Sequence, residues 1–292
     1  MNTVTVFVTA YILGFSLPDG IEKVNLGDDL IIWNVPPTPQ ALGWSHRQHF
    51  VELGYNVEAG QNSLVKENLE LEQALLPIRL YSSSGDLQAF PIQHGKAKPI
   101  SDNERSSISV SPGFPGAIGG RVKGYGFTPL SKGQLQKIQK EYPRLRKSNS
   151  DILEVAKLRF ADSYRRDNAT DRALDLIIAL DSLLSEGADS IRYKVALRTA
   201  MLLSNKGAER EEIFKRVYAA YGHRNTVVHG NTKPQKRIDA HNWFDKNVYQ
   251  LCDDVKRMLL YFMERESRGH TLNPAKIEQH LFKNGILGLD LP

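Results

Sequence analysis

The sequence predicts an α+β protein with a β-rich N-terminal domain over residues 1–130 and an all-α domain over residues 131–292. Three observations carry this. The first 130 residues hold short runs of Val, Ile, Thr, Phe and Trp cut by Gly/Pro/Asp turns. After Pro129 the prolines thin out and apolar residues recur with a 3.6-residue period. A length of 292 residues is enough to bury two cores.

In the first domain, Thr3–Phe15 and Ile21–Val35 read as strand-forming runs, broken at Pro18-Asp19-Gly20 and Gly27-Asp28-Asp29. Leu75–Tyr81, Leu87–Ile92 and Ser107–Ser111 continue as expected strands. Residues 111–120 form a Gly/Pro loop whose glycine spacing matches neither the dinucleotide nor the Walker pattern. His46 and His49, beside Trp44, lack a nearby third ligand, so they read as a packed or surface pair and no metal site is expected.

In the second domain, Ser131 is an N-cap candidate for a helix running to about Lys147, interrupted near Pro143. Ser150-Asp151 caps Ile152–Arg166, and a third helix starts at Ala169 or Thr170. Ile191–Leu203, Glu209–His229 and Ile238–Glu264 follow, each with an apolar stripe, and Pro274–Leu281 is a short last helix. Short connections favour antiparallel neighbours in a helical bundle.

Charge is unevenly spread. Residues 191–237 carry 11 Lys/Arg against 3 Asp/Glu, whereas residues 1–130 carry 9 against 12. A local basic excess is the electrostatic footprint of a polyanion site, or else a solvated helix face. The single Cys252 excludes an internal disulfide and points to a reducing cytoplasm. No apolar run reaches a membrane-spanning length of roughly 18 residues. Val4–Phe15 comes nearest, and it reads as a buried strand.

The basic segment ends in Tyr221-Gly222-His223-Arg224-Asn225-Thr226-Val227-Val228-His229-Gly230. Gly230 and Pro234 supply the stop, so Arg224, Asn225 and His229 fall in the last turns of one helix. Five residues of helix set Arg224 and His229 about 140° apart, able to flank one groove. A guanidinium grips phosphate bidentately, and an imidazole titrates near neutrality. The spacing alone is weak: Arg265 and His270 repeat it, and Arg216 precedes His223 by seven residues. What separates Arg224–His229 is the adjacent Asn225, the Val227-Val228 pair and the helix end. Gly222 breaks helix propensity and would admit a close-packed partner helix.

Tyr-x2-Arg-Asn-x3-His-Gly at a helix end, preceded by a helix like Ile191–Leu203, resembles the HEPN superfamily, and most its Apea-like group, over about residues 145–265. The resemblance implies a helical bundle that homodimerises through its motif-bearing helices. It also implies a cofactor-free, metal-independent endoribonuclease of bacterial antiviral defence or toxin–antitoxin systems, with an antitoxin or other regulatory partner. Carried over, His229 is the acid/base, Arg224 holds the scissile phosphate and Asn225 orients them. RNA contacts are expected from Lys194, Arg198, Lys215, Arg216, His223 and Tyr221. Cleavage would leave a 2′,3′-cyclic phosphate, because the ribose 2′-hydroxyl is an internal nucleophile. A non-catalytic RNA- or nucleotide-binding module and a protein-interaction module remain as alternatives. Residues 1–130 carry no such resemblance.

Overall fold

A computed structural model describes residues 3–13, 17–27, 29–35, 48–58, 63–81, 88–96, 98–99, 101, 130–148, 150–185, 190–229, 233–270 and 277. The chain is α+β and divides into two compact units, 1–146 and 147–292.

In the first unit, β1 (Thr3–Leu13), β2 (Lys23–Leu26), β3 (Leu30–Val35), β4 (Gln48–Glu58) and β5 (Gln88–Lys96) form one antiparallel sheet in the order β2-β3-β4-β1-β5. Side chains alternate across a strand, so Val8, Ala10 and Ile12 of β1 face inward beside Val51 and Leu53 of β4 and Leu30 and Ile32 of β3. Two helices cover that face. They are α1 (Ser63–Tyr81), through Leu71, Ala74, Leu75 and Ile78, and α2 (Lys132–Leu145), through Leu135, Ile138 and Tyr142. The β2–β3 turn needs Gly27 at φ 66°, where a Cβ would come within 3.3 Å of the Tyr142 ring.

Two expectations are corrected here. Leu75–Tyr81 is the last part of α1, not a strand. Residues 74–80 are buried all round, and a short apolar run of that kind carries no period that separates strand from helix. The helix after Ser131 also belongs to the first unit, so the boundary drawn at 130 falls one helix early. The change of periodicity marks a change of local structure, while the apolar face of α2 is buried on the sheet. Arg146 ends this unit, donating to Glu70 at 3.1 Å, Asp29 at 3.3 Å and Gln73 at 3.4 Å. The strand expected at 107–111, the loop 111–120, Trp44, His46, Gly230 and all of 274–281 except Ile277 lie outside the described residues.

The second unit is helical throughout its described elements: α3 (Asp151–Ser163), α4 (Ala169–Leu184), α5 (Ile191–Leu203), α6 (Gly207–Val228) and α7 (Pro234–Ser267). At α4 the Asn168 Oδ1 accepts from the Asp171 amide at 2.8 Å, whereas Ser150, at the start of α3, makes no side-chain cap bond and donates its hydroxyl to Glu266 at 2.6 Å. Along α4, Ala173, Leu176, Ile177, Leu180, Leu183 and Leu184 are wholly buried. Pro234, read above as a stop for the preceding helix, opens α7 at its first turn, where its missing N–H costs nothing. Among the described residues no helix is long and apolar enough to cross a membrane.

Candidate functional site

The motif lies at the C-terminal end of α6, with His229 as the capping residue at φ −85°, its N–H bonded to the Asn225 carbonyl at 3.2 Å. Asn225 and His229 are exposed and Arg224 is half-buried. The Arg224 Nη1 donates to Asn225 Oδ1 at 3.5 Å, a long bond that leaves most of the guanidinium free to take another acceptor. Among the described residues no carboxylate lies within 4.0 Å of Arg224 or His229.

The other expected contacts divide. Lys194 is half-buried on α5. Lys215 is exposed, and its ammonium pairs with Glu211 at 2.5 Å, one turn back. Arg198 is a correction: it is 2% exposed and donates to the Leu184 carbonyl, satisfying an orphan acceptor at the end of α4. Arg216 is a second correction. It grips Asp254 of α7 through two bonds, 2.7 Å from Nε and 3.1 Å from Nη2, with Asp254 buried. Arg210 donates to the Ser204 carbonyl at 2.6 Å. Part of the positive excess in 191–237 therefore serves helix ends and internal pairs, while Lys206, Lys233, Lys236 and Arg237 are exposed. A sequence count cannot separate these uses.

Tyr221 and His223 also face inward. Tyr221 is 3% exposed and its hydroxyl donates to Asp181 of α4. Burial pushes the phenol well above its ordinary range, helped by that carboxylate, and burial likewise raises Asp181 despite the Tyr221 hydrogen bond and the nearby Arg224. His223 is half-buried, stacked on Trp243 of α7 at 5.0 Å between ring centroids and edge-on to Phe244 at 6.0 Å. Burial, then the neighbouring Arg192, pulls its pKa down, with Asp239 opposing. Both residues anchor α6, and neither presents itself as an RNA contact.

Two participants were not foreseen. Asp181 is brought to Tyr221 and Arg224 only by the packing of α4 on α6. Arg192, from the first turn of α5, lays its guanidinium over Gly222. A Cβ at 222 would lie 2.8 Å from Nη2 and 3.1 Å from Cζ. The Arg192 Nε donates to the Tyr218 carbonyl at 2.7 Å, and its Cζ lies 3.6 Å from the Tyr218 ring centroid. The close neighbour that Gly222 admits is thus a side chain of the preceding helix. A glycine deep in a helix costs about 1 kcal/mol relative to alanine, and that cost was the one signal available in the sequence.

Among the described residues no group of three or more His, Cys, Asp or Glu side chains is placed to hold a metal ion. Comparison of the chain with models of known families, with curated proteins and with solved structures found no match.

Proposed function

We propose that the helical unit is a metal-independent endoribonuclease of HEPN type, acting in the cytoplasm of a bacterial cell in a defence or toxin–antitoxin setting and needing no cofactor. One observation carries the reading: half-buried Arg224 and exposed His229 stand at one helix end with no carboxylate within 4.0 Å among the described residues, while Arg198 and Arg216 nearby are consumed internally. In this reading Arg224 holds the non-bridging oxygens of the scissile phosphate, and Asn225 fixes the guanidinium through its amide oxygen. The ribose 2′-oxygen attacks phosphorus as its proton passes to an imidazole. The bond from phosphorus to the 5′-oxygen breaks, and that oxygen takes a proton from an imidazolium. The products are a 2′,3′-cyclic phosphate and a free 5′-hydroxyl. One histidine per chain is short for both proton transfers, so two protomers meeting through α6 would supply the pair. General acid–base help of this kind is worth roughly 10²–10⁴-fold.

The test is cleavage of a labelled RNA by the full chain. Arg224→Ala and His229→Ala each abolish cleavage while the far-ultraviolet spectrum and sedimentation stay those of the wild type. Cleavage that survives both changes and added EDTA overturns the reading. The exposure of Tyr193 (51%), Leu197 (38%) and Val228 (51%) on α5 and α6 favours a second reading, a protein-interaction module. That reading predicts neither RNA binding nor turnover.

A further inference from the structure

We infer that Arg192 is a second phosphate-binding cation of this site, gripping the RNA backbone one step along the strand from the bond that His229 acts on. The inference rests on the ribonuclease reading and adds a residue to it. Gly222, Asn225 and His229 are spaced i, i+3, i+7 and so share one face of α6. Because the guanidinium of Arg192 sits where a side chain of residue 222 would be, it belongs to that same stripe. Gly222 and His229 are about 10.5 Å apart along the helix axis, a span that a short stretch of single strand covers. Asn225 lies between them.

The guanidinium is also held ready. One face rests on the Tyr218 ring, which stacks on Phe214 at 5.5 Å with Tyr193 edge-on behind it at 5.7 Å. Its Nε is fixed to the Tyr218 carbonyl. The two terminal nitrogens are left without a carboxylate among the described residues, whereas Arg216 is taken up by Asp254 through two bonds. A planar fork fixed in advance loses little freedom when it binds phosphate. Gly222 makes this placement possible, since any Cβ there forces the guanidinium to move.

The experiment measures binding of a short fluorescent single-stranded RNA to full-length His229→Ala protein, which holds the RNA uncut, across a salt series. Adding Arg192→Gln weakens binding about tenfold and flattens the dependence of log affinity on log salt by about 0.7, the value of one phosphate contact on a single strand. Arg192→Lys keeps the charge but not the fork and loses part of the affinity. Gly222→Ala keeps Arg192 yet displaces it and also weakens binding, a result that a loss of charge alone does not explain. Thermal melting of each variant identifies loss of fold. An affinity and salt slope unchanged by Arg192→Gln overturn the inference. So does a change in self-association by sedimentation with RNA binding intact, which assigns the guanidinium to a protein contact. Failure of the underlying reading shows separately, as cleavage that persists in the His229→Ala protein.

Discussion

Arg216→Met tests whether that arginine holds the helical unit together or serves the proposed RNA contact. Asp254 is 2% exposed and Arg216 is its bidentate partner across the α6–α7 contact. Removing the arginine leaves a buried, uncompensated carboxylate, which costs about 3–5 kcal/mol. The unit spans residues 147–292, and at that size each kcal/mol moves the melting midpoint by about 2–4 °C, so the variant melts roughly 6–20 °C lower. The deficit depends on pH with a definite sign. Burial raises Asp254, and the Arg216 hydrogen bond opposes that rise. A carboxyl raised in the folded state contributes most below its unfolded value, about 3.9, and its contribution is lost as the pH rises through the folded value. Without Arg216 the opposing influence goes, and the carboxyl takes up a proton more readily still. The gap between variant and wild type therefore narrows as the solution is acidified. Melting followed by circular dichroism at neutral and mildly acidic pH, with RNA affinity measured alongside, decides the matter. A variant that melts normally but binds RNA weakly refutes the argument and returns Arg216 to the binding surface.

Two further outcomes follow from the inward-facing residues of the motif. Tyr221→Phe deprives the half-buried Asp181 carboxylate of its donor and costs about 1.5–3 kcal/mol, while the RNA affinity of the folded protein is unchanged; calorimetry and anisotropy check the two halves. His223 titrates below its ordinary value, so the stability it contributes is complete above the unfolded pKa of about 6.5 and is lost as the pH falls through the folded value. His223→Phe keeps a ring against Trp243 and removes that acid sensitivity, seen as a flatter plot of melting midpoint against pH.

The fold was legible wherever local pattern and tertiary demand agreed. The strand β1, the hairpin pivoting on Gly27 and the helix Ile191–Leu203 fall where alternation, turn residues and periodicity put them. Ser131 caps its helix as expected, with Gln134 closing a reciprocal pair of bonds. The end of helix α1 was misread because residues 74–80 are buried throughout and show no polar face, and the unit boundary escaped because a helix can be the last layer of a sheet domain. For the site, position was legible and allegiance was not. Arg224, Asn225 and His229 sit at a helix end as their spacing requires. Nothing in the order of residues says that Arg198 turns inward to a carbonyl, or that Arg192 and Asp181, tens of positions upstream, arrive beside the motif.

Around the end of α6, neighbours in sequence take opposite orientations: Tyr221 and His223 lock the helix to α4 and α7, and Asn225 and His229 look outward. An alanine scan of this helix end would therefore mix two effects: loss of folded protein at Tyr221 and His223, and loss of an outward group at Asn225 and His229. Only normalising each reading to the folded fraction separates them.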